Sequence, residues 1–219
     1  MEKLALALVL LIMGSLALSE ASTDLTGKAL IFPEESEPQV KLIPAVNKDF
    51  TAVTVCLRYF SDLSRDMEMF SLSSHDHINS FRMHVAQPKY HGIWVGVDDV
   101  QFYDMPHKQN EWNSFCGTWD SGTGLTQVWV NGRHSTRKYV TDAKSLAGPH
   151  RTILGRDERG IRGFDADESF VGELTDVHMW DSVLSPWEIQ SYMKGMNFRK
   201  GNVINWQDLK YITKENVVV

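Results

Sequence analysis

Cysteine is scarce in this 219-residue chain: there are two, Cys56 and Cys116. No Asn-x-Ser/Thr sequon occurs, so no N-linked glycan is expected. There is no run of basic residues, and the formal net charge is −6, which makes the chain a poor nucleic-acid binder. No Gly-x-Ser-x-Gly elbow and no phosphate loop is present, so nucleophilic and nucleotide chemistry find little support. No internal repeat or low-complexity tract appears. Beyond the N-terminus, no apolar run is long enough to cross a bilayer.

What is present begins with a short polar start, Met1, Glu2 and Lys3, followed by an almost wholly apolar run over 4–18. Ser19 and Ala21 then supply the small-x-small pattern that signal peptidase accepts. Residues 1–21 therefore read as a secretory signal, cleaved after Ser19 or Ala21. The apolar run is short for a membrane anchor and lacks a basic flank to hold it. Residues 22–219 remain, close to 198 residues, a length that one all-β core accommodates. Secretion places the two cysteines in an oxidising compartment, where an even count implies pairing. The Cys56–Cys116 crosslink would close about 60 residues of chain, which is worth roughly 4 kcal/mol on the chain-entropy account.

Short aromatic and β-branched runs recur at 29–33, 52–60, 69–72, 81–85 and 93–97. Residues 125–130, Leu-Thr-Gln-Val-Trp-Val, alternate and end at Asn131-Gly132, a strong hairpin signal because both residues tolerate positive φ. Strands at this spacing predict an all-β fold: a two-sheet jelly-roll sandwich rather than alternating β-α units. One short α-helix is expected near 185–194. Ser185-Pro186-Trp187-Glu188 forms a capping box with proline at the first helical position. Ile189, Tyr192 and Met193 give it an apolar face, and Gly195 is its stop.

The most unusual stretch is 154–173, which holds Asp157, Glu158, Asp165, Asp167 and Glu168 within a dozen residues. Calcium takes six to eight oxygens, and a clustered acidic loop supplies them. The same text also reads as a solvated acidic loop tempered by Arg156, Arg159 and Arg162. The twelve-residue EF-hand pattern is absent. His75 and His77 lie in a polar cluster that reads as a surface loop, and the remaining histidines show no zinc spacing. A sandwich-fold glycosidase would need two facing carboxylates. Glu173 and Asp176 are three apart, so in a strand they point to opposite faces, which argues against a same-strand acid and nucleophile.

The segment Phe115-Cys116-Gly117-Thr118-Trp119-Asp120-Ser121 resembles the pentraxin signature His-x-Cys-x-Ser/Thr-Trp-x-Ser/Thr, with Ser114 in place of the leading histidine. Further matching segments, among them Val128-Trp129-Val130-Asn131-Gly132, Met179-Trp180-Asp181 and Leu184-Ser185-Pro186, keep their order from Asp24 to Tyr211. The resemblance implies a concanavalin- or laminin-G-like sandwich carrying one helix, and a Cys56–Cys116 disulfide. It also implies a cyclic homo-oligomer, usually a pentamer, and no enzymatic activity. One face would bind one or two calcium ions. The implied ligands are phosphocholine, phosphoethanolamine or an anionic polysaccharide, and complement or cell receptors would meet the opposite face. This is the profile of a secreted pattern-recognition protein of innate immunity, of the acute-phase type.

Position by position, the resemblance assigns calcium ligation to Asp157, Glu158, Asp165, Glu168 and Asn79, with Asp76 near. Arg159 stands where the family has a bridging aspartate, and Ile78 replaces another aspartate. These two changes predict weaker calcium binding; the alternative is a pentraxin-fold scaffold with reduced or lost calcium dependence. An ungapped reading puts His84, Trp94 and Asp99 in the ligand pocket. There, Trp94 offers a cation–π face but crowds a place the family gives to threonine, and Asp99 offers a partner for an ammonium.

Overall fold

The computed structural model describes residues 21–33, 39–74, 80–86, 90–156, 169–214 and 216–219. Within them the chain forms β1 (Leu30–Phe32), β2 (Gln39–Ile43), β3 (Ala52–Phe60), β4 (Met67–Ser74), β5 (Phe81–Ala86), β6 (Tyr90–Val95), β7 (Asp98–Tyr103) and β8 (Asn113–Asp120). There follow β9 (Leu125–Val130), β10 (Arg133–His134), β11 (Lys138–Tyr139), β12 (His150–Leu154), β13 (Gly172–Trp180), α1 (Pro186–Met193), β14 (Ile204–Asn205) and β15 (Lys210–Lys214).

Two antiparallel sheets result. The first runs β1-β13-β3-β8-β9-β10, with β11 also on β9 and β14 on β13. The second runs β15-β2-β12-β4-β5-β6-β7. This is the expected jelly-roll sandwich. Period-2 alternation builds it: in β3, Val53, Val55, Leu57 and Tyr59 face the core, leaving Thr54, Cys56, Arg58 and Phe60 on the outer face. Phe81, Met83 and Val85 of β5 and Ile93 and Val95 of β6 enter the same core from the second sheet. Gly117 of β8 makes the close approach possible, since a Cβ there would lie 2.5 Å from the Ile93 side chain. Each large side chain so buried contributes about 1.5–3 kcal/mol.

The strand expected at 52–60 matches β3, and that at 125–130 matches β9. The Asn131-Gly132 turn joins β9 to β10 with φ of 49° and 83°. The run expected at 93–97 instead belongs to Tyr90–Val95, and exposed Val97 sits in the turn that follows. Apolarity misled there, because Gly96 at φ 66° ends the extended chain.

Cys56 and Cys116 stand directly opposite one another on β3 and β8 and are disulfide-bonded. The bridge lies on the outer face of the first sheet, beneath α1, packed with Trp129, Trp180, Leu184, Ile189 and Tyr192. The capping box forms as expected: Ser185 Oγ accepts from Glu188 N at 3.3 Å, and Ser185 N donates to Glu188 Oε2 at 2.9 Å. Eight residues are too few for a helix stable by itself, so packing on the bridge holds it in place. Arg58 adds a clasp, donating to Tyr192 O at 2.7 Å.

The three-residue spacing of Glu173 and Asp176 does not send them to opposite faces. A bulge between Thr175 and His178, with Asp176 at φ 54°, breaks the alternation. Glu173 lies beside core-facing Leu174 and so faces outward. Asp176 also reaches the outer side, meeting Arg58 Nε at 3.1 Å and His178 Nε2 at 3.3 Å. These two donors hold its carboxyl below the ordinary carboxylate range against the opposing effect of burial, unlike the raised acid a glycosidase needs.

Candidate functional site

The outer face of β5, β6 and β7 gathers the side chains expected at the ligand pocket. Register aligns Arg82 with Trp94 and Trp94 with Asp99, and aligns His84 with Gly92 and Gly92 with Gln101. Paired residues share a face. Since Met83, Ile93 and Phe102 point into the core, all of these point outward. The alternation Phe81-Arg82-Met83-His84-Val85 is what turns Arg82 and His84 to this side.

His84, Trp94 and Asp99 are thus brought together, but each already has an engagement. The His84 imidazole lies across Gly92, where a Cβ would stand 2.1 Å from the ring. Its Nε2 is 3.5 Å from Asp99 Oδ1. Burial, with a contribution from the Arg82 charge, pushes the His84 pKa down to about 3, so the contact is not an ion pair at neutral pH. Burial also raises the Asp99 carboxyl, opposed by a hydrogen bond from Gln101 and by Arg82. Gln101 Nε2 donates to Asp99 Oδ2 at 3.3 Å, and the Tyr103 hydroxyl donates to Gln101 Oε1.

Trp94 is held twice. Its indole N–H donates to Gly96 O at 2.7 Å, and the Arg82 guanidinium lies 4.9 Å from its ring centroid. Arg82 in turn meets Glu68 Oε1 at 3.4 Å, both side chains being almost wholly buried. The cation–π face foreseen for a ligand ammonium is therefore occupied on one side by the protein's own cation. Sequence reasoning missed Glu68, Arg82 and Gln101. The polar–apolar alternation of β5 carried the signal for Arg82, whereas Glu68 reaches this face only because β4 has a register shift between Glu68 and Phe70.

The residues expected to ligate calcium, Asp157, Glu158, Asp165, Glu168, Asn79 and Asp76, lie outside the described residues, as do Arg159, Ile78, His75 and His77. Their anchors are described. Ser74 ends β4 and Phe81 begins β5; the 157–168 segment follows β12, and its base is closed by Phe170 N donating to Gly155 O at 2.8 Å. Both segments thus leave from the sheet that carries His84, Trp94 and Asp99. Among the described residues, no three His, Cys, Asp or Glu side chains cluster as a metal would need.

Comparison with known proteins places these features in company. A sequence model of the Pentaxin family matches residues 28–219. The chain is 39% identical to the C-reactive protein of Sus scrofa, covering 100% of this chain and 97% of that protein. It is 35% identical to the serum amyloid P-component of Mesocricetus auratus, covering 96% and 91%. Among solved structures, it resembles the native heptameric SAP-like pentraxin of Limulus polyphemus with a TM-score of 0.79, at 19% identity, over 87% of this chain and 93% of that one.

Proposed function

The chain belongs to the pentraxin family, and we propose that it is a secreted, multivalent recognition protein that binds anionic ligands on microbes or damaged cells with the help of calcium. Residues 1–21 are the proposed secretory signal and 22–219 the functional domain. The proposed calcium ligands are Asp157, Glu158, Asp165, Glu168, Asn79 and Asp76, holding one or two ions. A bound calcium ion supplies positive charge for a ligand phosphate or carboxylate. Around it, Trp94, Asp99 and His84 shape the neighbouring surface for the rest of the ligand. The protein acts by binding, without catalysis, and assembles as a homo-oligomer, a pentamer in this reading. Linking weak sites in one ring raises avidity by about 10²–10⁴.

The observation that carries this reading is the convergence of Trp94, Asp99 and His84 on the outer face of the sheet from which the 75–79 and 157–168 segments depart. Phosphocholine, phosphoethanolamine and anionic polysaccharides are the candidate ligands. Complement or cellular receptors are the candidate partners of the helix-bearing face. Retention on a phosphocholine resin in calcium, with release by chelator, supports the reading; retention unaffected by chelator overturns the calcium dependence. Light scattering with and without calcium reports the assembly in the same preparation.

Arg159 and Ile78 favour one alternative, a pentraxin-fold binding protein that has lost part of its calcium dependence. An arginine among the ligands opposes a divalent cation, and isoleucine removes an anionic oxygen. Calorimetry finding two tight calcium sites would eliminate this alternative.

A further inference from the structure

Where the 104–112 segment joins β7 to β8, two imidazoles meet one buried tyrosine. Tyr59 of β3 is wholly buried, and its hydroxyl lies 2.8 Å from His107 Nδ1 and 3.3 Å from His91 Nε2 of β6. The His107 ring also lies nearly parallel to that of Tyr59, with 16° between their planes. His91 is set edge-on against Phe115 of β8, with ring centroids 4.9 Å apart. We propose that His107 is an acid-released latch, which holds the 104–112 segment to Tyr59 near neutral pH and lets it swing out when the imidazole takes up a proton.

Three observations carry the proposal. A hydroxyl serves two neutral rings at once, giving its proton to one and accepting from the other, so the cluster suits two uncharged imidazoles. The second ring nitrogen of His107, Nε2, is buried without a hydrogen-bond partner. Proton uptake puts an N–H on both nitrogens, and in the latched position the one on Nε2 would carry charge with no acceptor, a strongly disfavoured state. Finally, among the described residues no carboxylate offsets a positive charge on either ring. Burial drives His107 below the ordinary histidine range and His91 down to about 3, with repulsion from His107 and His84 adding to the second.

The charged groups of the surrounding elements are engaged with one another or turned away. Within the segment, Lys108 pairs with Glu111 at 2.9 Å. Arg133, after the β9 turn, donates to Asp104 O at 3.3 Å, and Asp62, after β3, meets the segment through its backbone carbonyl, which accepts from Gln109 Nε2. Apart from His107, the segment is held by Met105 against the core, by Asn110 N donating to Ser61 O at 2.9 Å and by Asn131 Nδ2 donating to Pro106 O at 3.1 Å. Release places the imidazolium in water, where it titrates near 6.5. It also draws Trp112, already 46% exposed, away from Phe60, whose ring centroid is 5.7 Å distant. Acid would thereby bare an aromatic surface that neutral pH keeps covered.

The latch is independent of the calcium-dependent reading, so the test is run on the full mature protein in chelator. Hydrogen exchange read by mass spectrometry follows peptides carrying the amides of Lys108 and Asn110, which are bonded to Asn113 Oδ1 and Ser61 O, beside peptides of β3 and β8. Rates at pH 7.5 and 5.5 are corrected for intrinsic exchange. A ring that titrates near 6.5 when released and stays neutral when latched shifts the opening equilibrium by about tenfold over this range. The expected result is a loss of protection of that size in 104–112, without an equal loss in β3 and β8. In His107→Gln, which keeps a hydrogen-bonding side chain but takes no charge, that pH response should disappear, whatever the segment's absolute protection. Protection in 104–112 that does not change, or that falls in step with β3 and β8, overturns the proposal, and so does a full pH response in H107Q. The first comparison needs no variant, so a variant that misfolds does not rescue the idea.

Discussion

His84 of β5 reaches over Gly92 of β6 to bring its Nε2 within 3.5 Å of Asp99 Oδ1 on β7, so a contact spans three strands because the middle one offers no side chain.

That geometry makes Gly92 a spacer. In Gly92→Ala the new methyl would overlap the imidazole, whose edge lies 2.1 Å from the added carbon. Overpacking of this kind costs about 1–3 kcal/mol. Urea unfolding of G92A should show that loss. H84A, which removes the ring, should recover part of it in the double variant; strictly additive losses would show that the ring does not need the gap.

Burial also sets a pH dependence. The pKa values of His84 and His91 are both driven down to about 3 by desolvation, with Arg82 adding to the first and His107 and His84 to the second. The unfolded imidazoles titrate near 6.5. Between about pH 6.5 and 3 the unfolded chain therefore binds protons that the folded chain does not, and stability falls as pH falls through that window. Each histidine contributes a slope approaching about 1.4 kcal/mol per pH unit at its steepest. Chemical unfolding in chelator at pH 7.5, 6 and 5 should show stability decreasing in that order. H84Q should flatten the slope by close to one histidine's share.

Trp94 fills a position at which the family resemblance implies threonine, and its ring carries Arg82. Trp94→Thr should therefore open the pocket toward Asp99 and strengthen retention on phosphocholine resin in calcium, by about tenfold if Asp99 gains the ligand's ammonium as a charge partner worth about 1.4 kcal/mol. The fold should tolerate the change, because Trp94 points away from the core and Arg82 keeps Glu68. Unchanged or weaker retention would show that Trp94 is part of the recognition surface rather than an obstruction.

The Asp176 bulge ties α1 to its sheet. Asp176 meets Arg58, Arg58 donates to the carbonyls of Tyr192 and Met193, and the Tyr192 hydroxyl donates to Asp176 O at 2.8 Å. Asparagine also tolerates positive φ, so Asp176→Asn removes the charge and leaves the backbone at ease. A loss of about 1–2 kcal/mol is expected for this pair, whose side chains are only 25% and 28% exposed. Hydrogen exchange should show amides of α1 losing protection before those of β3 and β8. Uniform loss across the sheet would contradict the clasp.

Much of this was legible because it is local. Ser185, Pro186 and Glu188 specify the start of α1 through groups three residues apart, and Asn131-Gly132 specifies its turn through two. Alternation in β3 and β9 announces which side chains enter the core. The boundary near Val97 was misread because apolar character does not reveal where the backbone turns. The opposition assumed for Glu173 and Asp176 failed because a bulge is a feature of pairing with β3, invisible in one strand's text.

The sequence by itself determined the sandwich class, the helix and its cap, and the pairing of Cys56 with Cys116, since periodicity, capping and an even cysteine count act along the chain or at the level of composition. Only the tertiary structure decided that Arg82 takes one face of Trp94 and that His84 reaches Asp99 across Gly92. Those relations depend on which strands become neighbours and in what register. Register is fixed by the simultaneous burial of both sheets' inner faces, a condition on the whole chain that no local segment carries.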